Sequence, residues 1–594
     1  MIRKEWLKMK NKRTFSVFIA WLVVLLGLCI TPDMARAVPT GETREILYQN
    51  TELAAKAAEL ATPVAMYEFV RNTHEYALYH GSRSNSINTF LGRRGSDVDI
   101  ASVLIAMYRS QSIPARYAVG IVKVRATDVA NWLGVQDTYL AASIMNDQGI
   151  QNVSGPDANG YIQFEHVWVQ VQLPFYNYRG AGRDAATNCG SEPDKCRWIS
   201  LDPSFKLKTY PQNLIDVYSA VPFDYDRYYN AIKNNDTEYR DKNPLEIYQA
   251  KILDYLKTNY PGKTLEDVAY NGDIITVNHG VLPASLPYET VGTVSTYDSV
   301  VDHDAVANIK DWAKYLNGTM SIDAQYTSGG TIHIQTGIGG PYALADLSTK
   351  RLTITYSSIA VNGTADRVEV RLGGALIATP FVSSGSLLFP IGSPYTLNLS
   401  LDGAPATQSG QNDHKIDVTY NTLTVGGYYL IGTGGDTSNW SQVHRAADQL
   451  LAANTQYPII NVGNVPYVDI NKNGVIDANE PKLLESPEAQ DALTGGLLYA
   501  AMCQYYTKFV EQLRTLAGLQ HVIAPIEGFV GVVSSTYDVE YFADGTAFSV
   551  MPGGLLIDMK GISFNGTWRI NAPETYANDH FELMGHIGSS LEHE

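Results

Sequence analysis

The sequence predicts a multidomain α+β protein, and three observations carry that reading. At 594 residues the chain exceeds what one ordinary hydrophobic core encloses, which argues for three or four domains. Its apolar content of 45% against 18% charged residues is globular, not disordered. Its hydrophobic period changes along the chain, from about 3.6 residues to 2 and back, which separates helical, strand-rich and mixed regions.

Residues 1–37 read as a secretory signal peptide. Arg3, Lys4, Lys8, Lys10, Lys12 and Arg13 precede a nearly unbroken apolar run from Phe15 to Ile30, and Ala35-Arg36-Ala37 supplies the small-residue cleavage signal. The run of about 16 residues is shorter than the roughly 20 that a spanning helix needs. If it stays uncleaved it is an N-terminal anchor, and a membrane contact is expected only then. Cys29 does not read as a lipid attachment site, because Leu28 before it is bulky. The expected location is therefore secreted or periplasmic.

Residues 38–82 show helical spacing through Ile46, Leu47, Leu53, Ala57 and Leu60, with Pro63 breaking the pattern before a second helix through Phe69. Residues 83–207 carry three blocks. The first is Gly95-Ser96-Asp97-Val98-Asp99-Ile100-Ala101-Ser102-Val103-Leu104-Ile105-Ala106-Met107-Tyr108-Arg109. Ser96 is a good N-cap and Asp99 stands where a capping-box acid would. Ala101, Leu104, Ile105 and Tyr108 repeat on one face, predicting burial along one side. The second block puts His166, Trp168, Gln170 and Gln172 on one face of a strand and Val167, Val169, Val171 and Leu173 on the other. The third, Trp198-Ile199-Ser200-Leu201-Asp202-Pro203-Ser204-Phe205, ends a strand at Asp202.

Together these blocks resemble the transglutaminase-like superfamily of papain-type Cys-His-Asp proteins. In that family a cysteine opens the first helix, a histidine opens a strand and an aspartate ends the next one. The Ile113-Pro114-Ala115-Arg116-Tyr117 run after the helix adds to the likeness. The resemblance implies a papain-like core over 83–207 with Asp97, His166 and Asp202 at the three catalytic positions, and an aspartate where the nucleophilic cysteine would stand. A wider similarity to RHS-associated transglutaminase-domain proteins of bacteria rests on Tyr428-Tyr429-Leu430-Ile431, Met551-Pro552-Gly553-Gly554 and Ser589-Ser590-Leu591-Glu592-His593.

A helix N-terminus stabilises an anion, whether a thiolate or a carboxylate. Only the thiolate gives a useful acyl-enzyme, because carboxylate attack leads to a mixed anhydride. Ser96 is used as the cap and Ser102 lies inside the helix, so neither replaces the thiol. Asp97 can still pair with a protonated His166, and two carboxylates around one imidazole raise its pKa and make it a poor base. The expected function is binding, assembly or secretion with a protein or peptide partner. Two alternatives stand beside it: an amidase, peptidase or protein-modifying enzyme using His166 and Asp202, and a calcium-stabilised adhesin-like structural protein. The plain reading of Asp97, an acid in a first helical turn, agrees with an inactive domain.

Residues 208–269 return to helical spacing, as from Leu245 to Leu256. Residues 270–435 alternate with period two between Gly, Asn, Ser and Asp turns, as in Leu352-Thr353-Ile354-Thr355-Tyr356 and Arg367-Val368-Glu369-Val370-Arg371-Leu372, predicting antiparallel β-sandwich modules. Residues 436–594 mix both patterns. A helix is expected behind a Ser438 cap with Trp440, Val443, Ala447, Leu450 and Leu451 on its inner face. A second runs from Leu493 to Leu516, followed by strands at 528–533 and 539–542. The chain ends inside an apolar, helix-like stretch, which reads as the front part of a larger product.

Within the last region, Asp469-Ile470-Asn471-Lys472-Asn473-Gly474-Val475-Ile476-Asp477-Ala478-Asn479-Glu480 matches a twelve-residue calcium loop position by position. Asp469, Asn471, Asn473, Asp477 and Glu480 offer side-chain oxygens, Val475 its carbonyl, and Gly474 the sharp turn. The extended Pro466-Tyr467-Val468 before it and Pro481 after it predict a strand–loop–helix site holding a structural Ca²⁺. Without Cys29, three cysteines remain. Cys189 and Cys196 flank a polar loop that holds no other Cys or His, so a disulfide is expected there in preference to a metal. Cys503 reads as a buried thiol. The net charge of -17 argues against a nucleic-acid partner, which selects basic surfaces.

Overall fold

A computed structural model describes residues 41–592, interrupted chiefly at 183–188, 308–311, 383–388, 403–414, 542–547 and 571–576 and at a few shorter places. The expected signal peptide at 1–37 lies outside the described residues. Helix α1 (Glu52–Leu60) starts behind Thr51, whose side chain accepts from the Ala54 N–H. Residues 42–50 do not join it, contrary to their apolar spacing, because Glu42 Oε1 takes the Tyr48 and Gln49 N–H groups into an irregular turn. Helix α2 (Pro63–Thr73) follows a Thr62 cap and runs past Phe69.

Next come β1 (Glu75–Tyr76), α3 (Ser86–Gly92) and β2 (Arg94–Gly95), with β1 and β2 forming a short parallel pair. Helix α4 (Asp97–Ser110) follows directly. Strand β3 (Ala115–Arg125), helices α5 (Ala126–Leu133) and α6 (Thr138–Asp147), and strands β4 (Tyr161–Pro174) and β5 (Cys196–Leu201) complete the stretch up to Asp202. Beyond it, β6 (Lys208–Thr209) pairs with β7 (Asp273–Ile274). Strand β8 (Glu289–Tyr297) then returns to pair antiparallel with β3, giving a sheet of order β5-β4-β3-β8. Alternation alone placed 289–297 with the later β modules. It identifies a strand but not its partner, and the partner here lies far earlier in the chain.

Both faces of this sheet are covered. On one, Leu53, Val70, Ile100 and Leu104 pack against Val167, Val169 and Val171. On the other, Val129, Trp132 and Ile144 pack against Val122, Phe164 and Trp168. Helix α4 lies between the sheet and the other helices, so residues 97–109 are buried all round and not along one side. Its fully buried Ile100, Leu104, Ile105 and Met107 contribute about 1.5–3 kcal/mol each. That pins the helix, and with it the position of Asp97.

A second core lies between two antiparallel sheets. One has the order β10-β9-β16-β17, from β9 (Thr319–Ser328), β10 (Thr331–Gln335), β16 (Pro394–Asp402) and β17 (Lys415–Thr424). The other runs β14-β13-β12-β18-β22-β23, built from β12 (Leu352–Ile359), β13 (Thr364–Leu372), β14 (Ala375–Val382), β18 (Tyr428–Gly434), β22 (Ile526–Tyr541) and β23 (Phe548–Phe564). Short strands β11 (Tyr342–Ala343) and β15 (Phe389–Pro390) attach to their edges. Ile322, Leu397 and Leu399 of one sheet share a core with Ile354, Val368 and Val530 of the other. Since β22 and β23 come from beyond residue 435, the strand-rich and C-terminal regions share a sheet, and a division at 435 cuts through it.

A third core joins helices α7 (Tyr225–Lys233) and α8 (Pro244–Asn259) with α10 (Gly496–Gln520) and α11 (Ala577–Leu591). Helix α9 (Trp440–Gln456) is capped by Asn439, not Ser438. Its buried residues are Ala446 and Ala453, while Trp440 and Leu451 are exposed, which corrects the expected face by about a quarter turn. Leu450 packs close to Gly496, where any side chain would crowd it.

Candidate functional site

The three motif residues converge. Strand β4 begins at Tyr161, so His166 sits inside the strand and does not open it. The ladder between β4 and β5 ends where Leu201 faces Val169. The backbone of Val167 lies beyond that end, and its N–H donates to Asp97 Oδ2 at 2.9 Å. The same oxygen stands 3.0 Å from His166 Nδ1. Asp97 is the first residue of α4, and its other oxygen accepts from the Val98 N–H at 3.0 Å. The helix terminus thus abuts the strand where its neighbour stops.

Asp202 follows the last residue of β5. Its Oδ2 lies 2.9 Å from His166 Nε2 and accepts from the Tyr288 hydroxyl at 2.8 Å. Its Oδ1 accepts from Ser204 N (2.7 Å), Phe205 N (3.1 Å) and Ser204 Oγ (2.7 Å). Asp-Pro-Ser is a sequence that favours such a turn, with the aspartate oxygen bonding the backbone two residues on. Both imidazole nitrogens therefore face carboxylates.

The site is closed. His166 is 1% exposed, Asp202 2% and Asp97 7%. The rings of Trp132, Phe164 and Tyr288 meet His166 edge-on at 5.5, 5.7 and 5.6 Å, and Tyr76 stacks on Trp132 at 4.0 Å. Burial alone would lower the His166 pKa. The charge of Asp202 and the hydrogen bonds to Asp202 and Asp97 outweigh it and raise the pKa to about 10. Burial likewise works against the Asp202 charge, but His166 and the donors around it hold its pKa at about 2. The resulting unit is an imidazolium clamped between two carboxylates.

Residues 49–203 match the family model of the transglutaminase-like superfamily. The chain carries a transglutaminase-like domain. No curated protein and no solved structure matches the chain. The matched span includes α1 and α2, which pack on α4 and so belong to the same core as the motif blocks.

Asp99 of the transglutaminase-like domain does not complete a capping box. Ser96 accepts from the Asp99 N–H as expected, but the Asp99 carboxylate turns to the 79–84 loop. It takes the hydroxyls of Tyr79 (2.5 Å) and Ser82 (2.6 Å) and the Arg83 N–H (3.1 Å). Burial raises its pKa to about 6 despite these bonds. A Cβ at Gly95 would come within 2.8 Å of the Asp99 side chain, so the glycine makes room for this fold-back. Ser102 Oγ donates to the Val98 carbonyl and bonds the Tyr117 hydroxyl, and Ser96 Oγ donates to the Gly81 carbonyl.

Tyr288, Trp132 and Tyr76 are site residues that the motifs do not mark, because each reaches the domain's centre from a separate element. Lys206, four residues after Asp202, is also buried. Its ammonium caps the carbonyl end of α2 at Arg71 and His74, and burial pushes its pKa down to about 7. Cys189 and Cys196 form the expected disulfide beside β5, and Cys503 is a buried free thiol whose pKa burial pushes up to about 12.

The 469–480 loop follows β20 (Val465–Val468), which pairs with β19 (Ile459–Val462). Asp469 Oδ1 accepts from Asn473 N (3.1 Å) and its Oδ2 from Gly474 N (2.9 Å). Asp477 Oδ2 lies against the amides of Asn471 and Asn473, and Glu480 Oε2 accepts from Asp477 N. Glu480 Oε1 is buried and has no hydrogen-bond partner among the described residues. Lys482 is extended and bridges to Tyr467, so a 3₁₀ turn at Leu483–Glu485 replaces the expected flanking helix. Among the described residues no group of three His, Cys, Asp or Glu side chains is arranged to hold a metal. The loop's donors would instead be mixed: carboxylates, Asn amides and the Val475 carbonyl. Among the described residues no helix is long and apolar enough to cross a membrane.

Proposed function

We propose that the transglutaminase-like domain is a binding or assembly module of a secreted protein and performs no thiol acyl transfer. One observation carries this reading: a carboxylate, Asp97 Oδ2, stands 3.0 Å from His166 Nδ1 at the helix terminus where the family's resemblance puts its thiol. The charge state supports it. An imidazole whose pKa lies near 10 is protonated at neutral pH and takes up no proton from a nucleophile. The closed aromatic cover supports it as well, since His166 is almost fully buried among the rings of Trp132, Phe164 and Tyr288. The rival reading, an amidase or protein-modifying enzyme working through His166 and Asp202, requires that proton acceptance and access to the imidazole. Incubation with a glutamine peptide and a fluorescent primary amine decides between them. No incorporation above a His166→Ala control is expected. Incorporation that resists iodoacetamide and disappears in His166→Ala overturns the reading.

A second reading concerns residues 469–480, which we propose hold a structural calcium ion. Glu480 Oε1, buried without a partner, favours it: a bidentate carboxylate at the twelfth position is the place where such a loop closes on the ion. Asp469, Asn471, Asn473, Val475, Asp477 and Glu480 would supply the oxygens. Titration of the chelator-treated protein with Ca²⁺, followed by calorimetry, tests it directly.

A further inference from the structure

A cavity of about 420 Å³ lies between the transglutaminase-like domain and the C-terminal helices. Its volume falls in the roughly 300–1,000 Å³ range of small-ligand sites. Tyr76 and Trp132, the rings that cover His166, form one wall. Tyr210 and Tyr270 form another, stacked at 4.7 Å with their planes 15° apart.

The charged groups of the lining are mostly spent on one another. Arg94 bonds Glu75 at 2.8 Å and Asp436 at 2.5 Å, Arg514 also reaches Asp436, and Arg83 is paired outside the lining with Glu527 at 2.9 Å. Lys208 is different. It lines the cavity from β6, and its Nζ makes no hydrogen bond or ion pair among the described residues. Burial pushes its pKa down from the usual lysine value and Arg94 adds to this, while the charge of Glu75 opposes it; that carboxylate is bonded to Arg94. Asp273, on the paired strand, is exposed at the rim and does not bond it. A half-buried ammonium beside an aromatic pair lacks one thing, an anion attached to a flat or apolar body.

We propose that this cavity binds a small organic carboxylate. Lys208 Nζ takes the carboxylate as a charge-assisted hydrogen bond, and the Tyr210–Tyr270 pair carries the ligand's ring or apolar body. The carboxylate comes either from a free aromatic acid or from the C-terminus of a short peptide. The proposal goes beyond the preceding reading and holds whether or not the triad retains chemistry, so an active triad in the amine assay leaves it intact.

Isothermal titration of the full chain tests it with three probes: 4-hydroxyphenylacetate, the tripeptide Gly-Gly-Tyr, and the same tripeptide amidated at its C-terminus. Binding of at least one free acid at a Kd of about 1 mM or tighter is expected, with the tighter arm naming the source. Lys208→Met is expected to weaken it by about tenfold or more, the loss typical of a charged hydrogen bond. Tyr270→Ala, which leaves every charge in place, is expected to weaken it too, and the exposed Lys195→Met to leave it unchanged. No binding of either acid at about 10 mM overturns the proposal. So does unchanged affinity in Lys208→Met, or an amidated peptide that binds as well as the free acid.

Discussion

Asp97 Oδ2 lies 3.0 Å from His166 Nδ1 and 2.9 Å from the N–H of Val167, so one oxygen closes both an ion pair and the open end of a β-ladder. A thiolate at the same place could pair with the imidazole, but sulfur is a weak acceptor for a backbone N–H. The carboxylate thus fits the structural half of the position better than the chemical half. Position 97 acts here as a joint between the terminus of α4 and the strand.

Removing that joint is expected to destabilise the domain. Asp97→Ala strips one anion from a buried imidazolium and leaves the Val167 N–H unpaired. Breaking a buried ion pair typically costs about 3–5 kcal/mol; Asp202 still neutralises His166, so about 2–4 kcal/mol is expected. Asp97→Asn keeps an acceptor for Val167 and should cost about half as much. Urea unfolding read through the tryptophan signal gives both values, and an unchanged midpoint in Asp97→Ala would show that the contact contributes nothing.

The clamped imidazolium also sets a pH dependence. The folded pKa of His166, about 10, lies above its unfolded value of 6.5. Its protonation therefore stabilises the fold fully below about pH 6.5, and the stabilisation is lost as pH rises toward 10, at up to about 1.4 kcal/mol per pH unit. Asp202 acts at the other end. Its folded pKa of about 2 lies below 3.8, so its contribution is present above pH 3.8 and lost as pH falls toward 2. The difference in melting temperature between the native protein and His166→Gln should shrink between pH 7 and 10 (about one titrating proton). A constant difference across that range contradicts the clamp.

Much of this site was legible in the sequence, for a physical reason. Asp97, His166 and Asp202 are each fixed by a local rule: a helix start behind Ser96, a strand position ahead of the alternating Val167, Val169 and Val171, and a strand end before Pro203. The helix and sheet periods then bring them together. What was not legible depends on distant pairing. Strand β8 joins the sheet from residues 289–297, and Tyr288 just before it reaches Asp202. The fold-back of Asp99 was hidden too, since a capping-box acid and an acid that binds a neighbouring loop look alike in sequence. The face of α9 was misjudged because apolar spacing marks a candidate face, while packing against α10 and against Ala492 and Leu493 just before it selects the small Ala446 and Ala453.

Placing a thiol at position 97 separates geometry from access. In Asp97→Cys the sulfur would face a cationic His166 at a helix N-terminus, two factors that depress a thiol pKa to below about 7. The pH dependence of iodoacetamide alkylation should show that shift, and Trp132→Ala in the same background should speed the alkylation by opening the cover. An ordinary thiol pKa near 8.5 would mean that Asp97 does not mark a nucleophile position.

Calcium should stabilise the C-terminal region through a defined oxygen. Asp469 is held by the Asn473 and Gly474 N–H groups, which would orient the first of the proposed ligands. Glu480 has one oxygen on Asp477 N and the other buried without a partner, an arrangement that costs free energy until a cation or proton meets it. Binding to the folded state alone raises stability by about 2.7 kcal/mol when free Ca²⁺ is a hundred times Kd. Differential scanning calorimetry should therefore show one transition moving up with millimolar-range Ca²⁺ and returning with chelator. Glu480→Gln should abolish the shift while changing the chelated protein's melting little, because the amide satisfies the buried position without charge. Asp99→Asn, far from the loop, should leave the shift intact. Equal shifts from Ca²⁺ in the native protein and in Glu480→Gln would place any bound ion elsewhere.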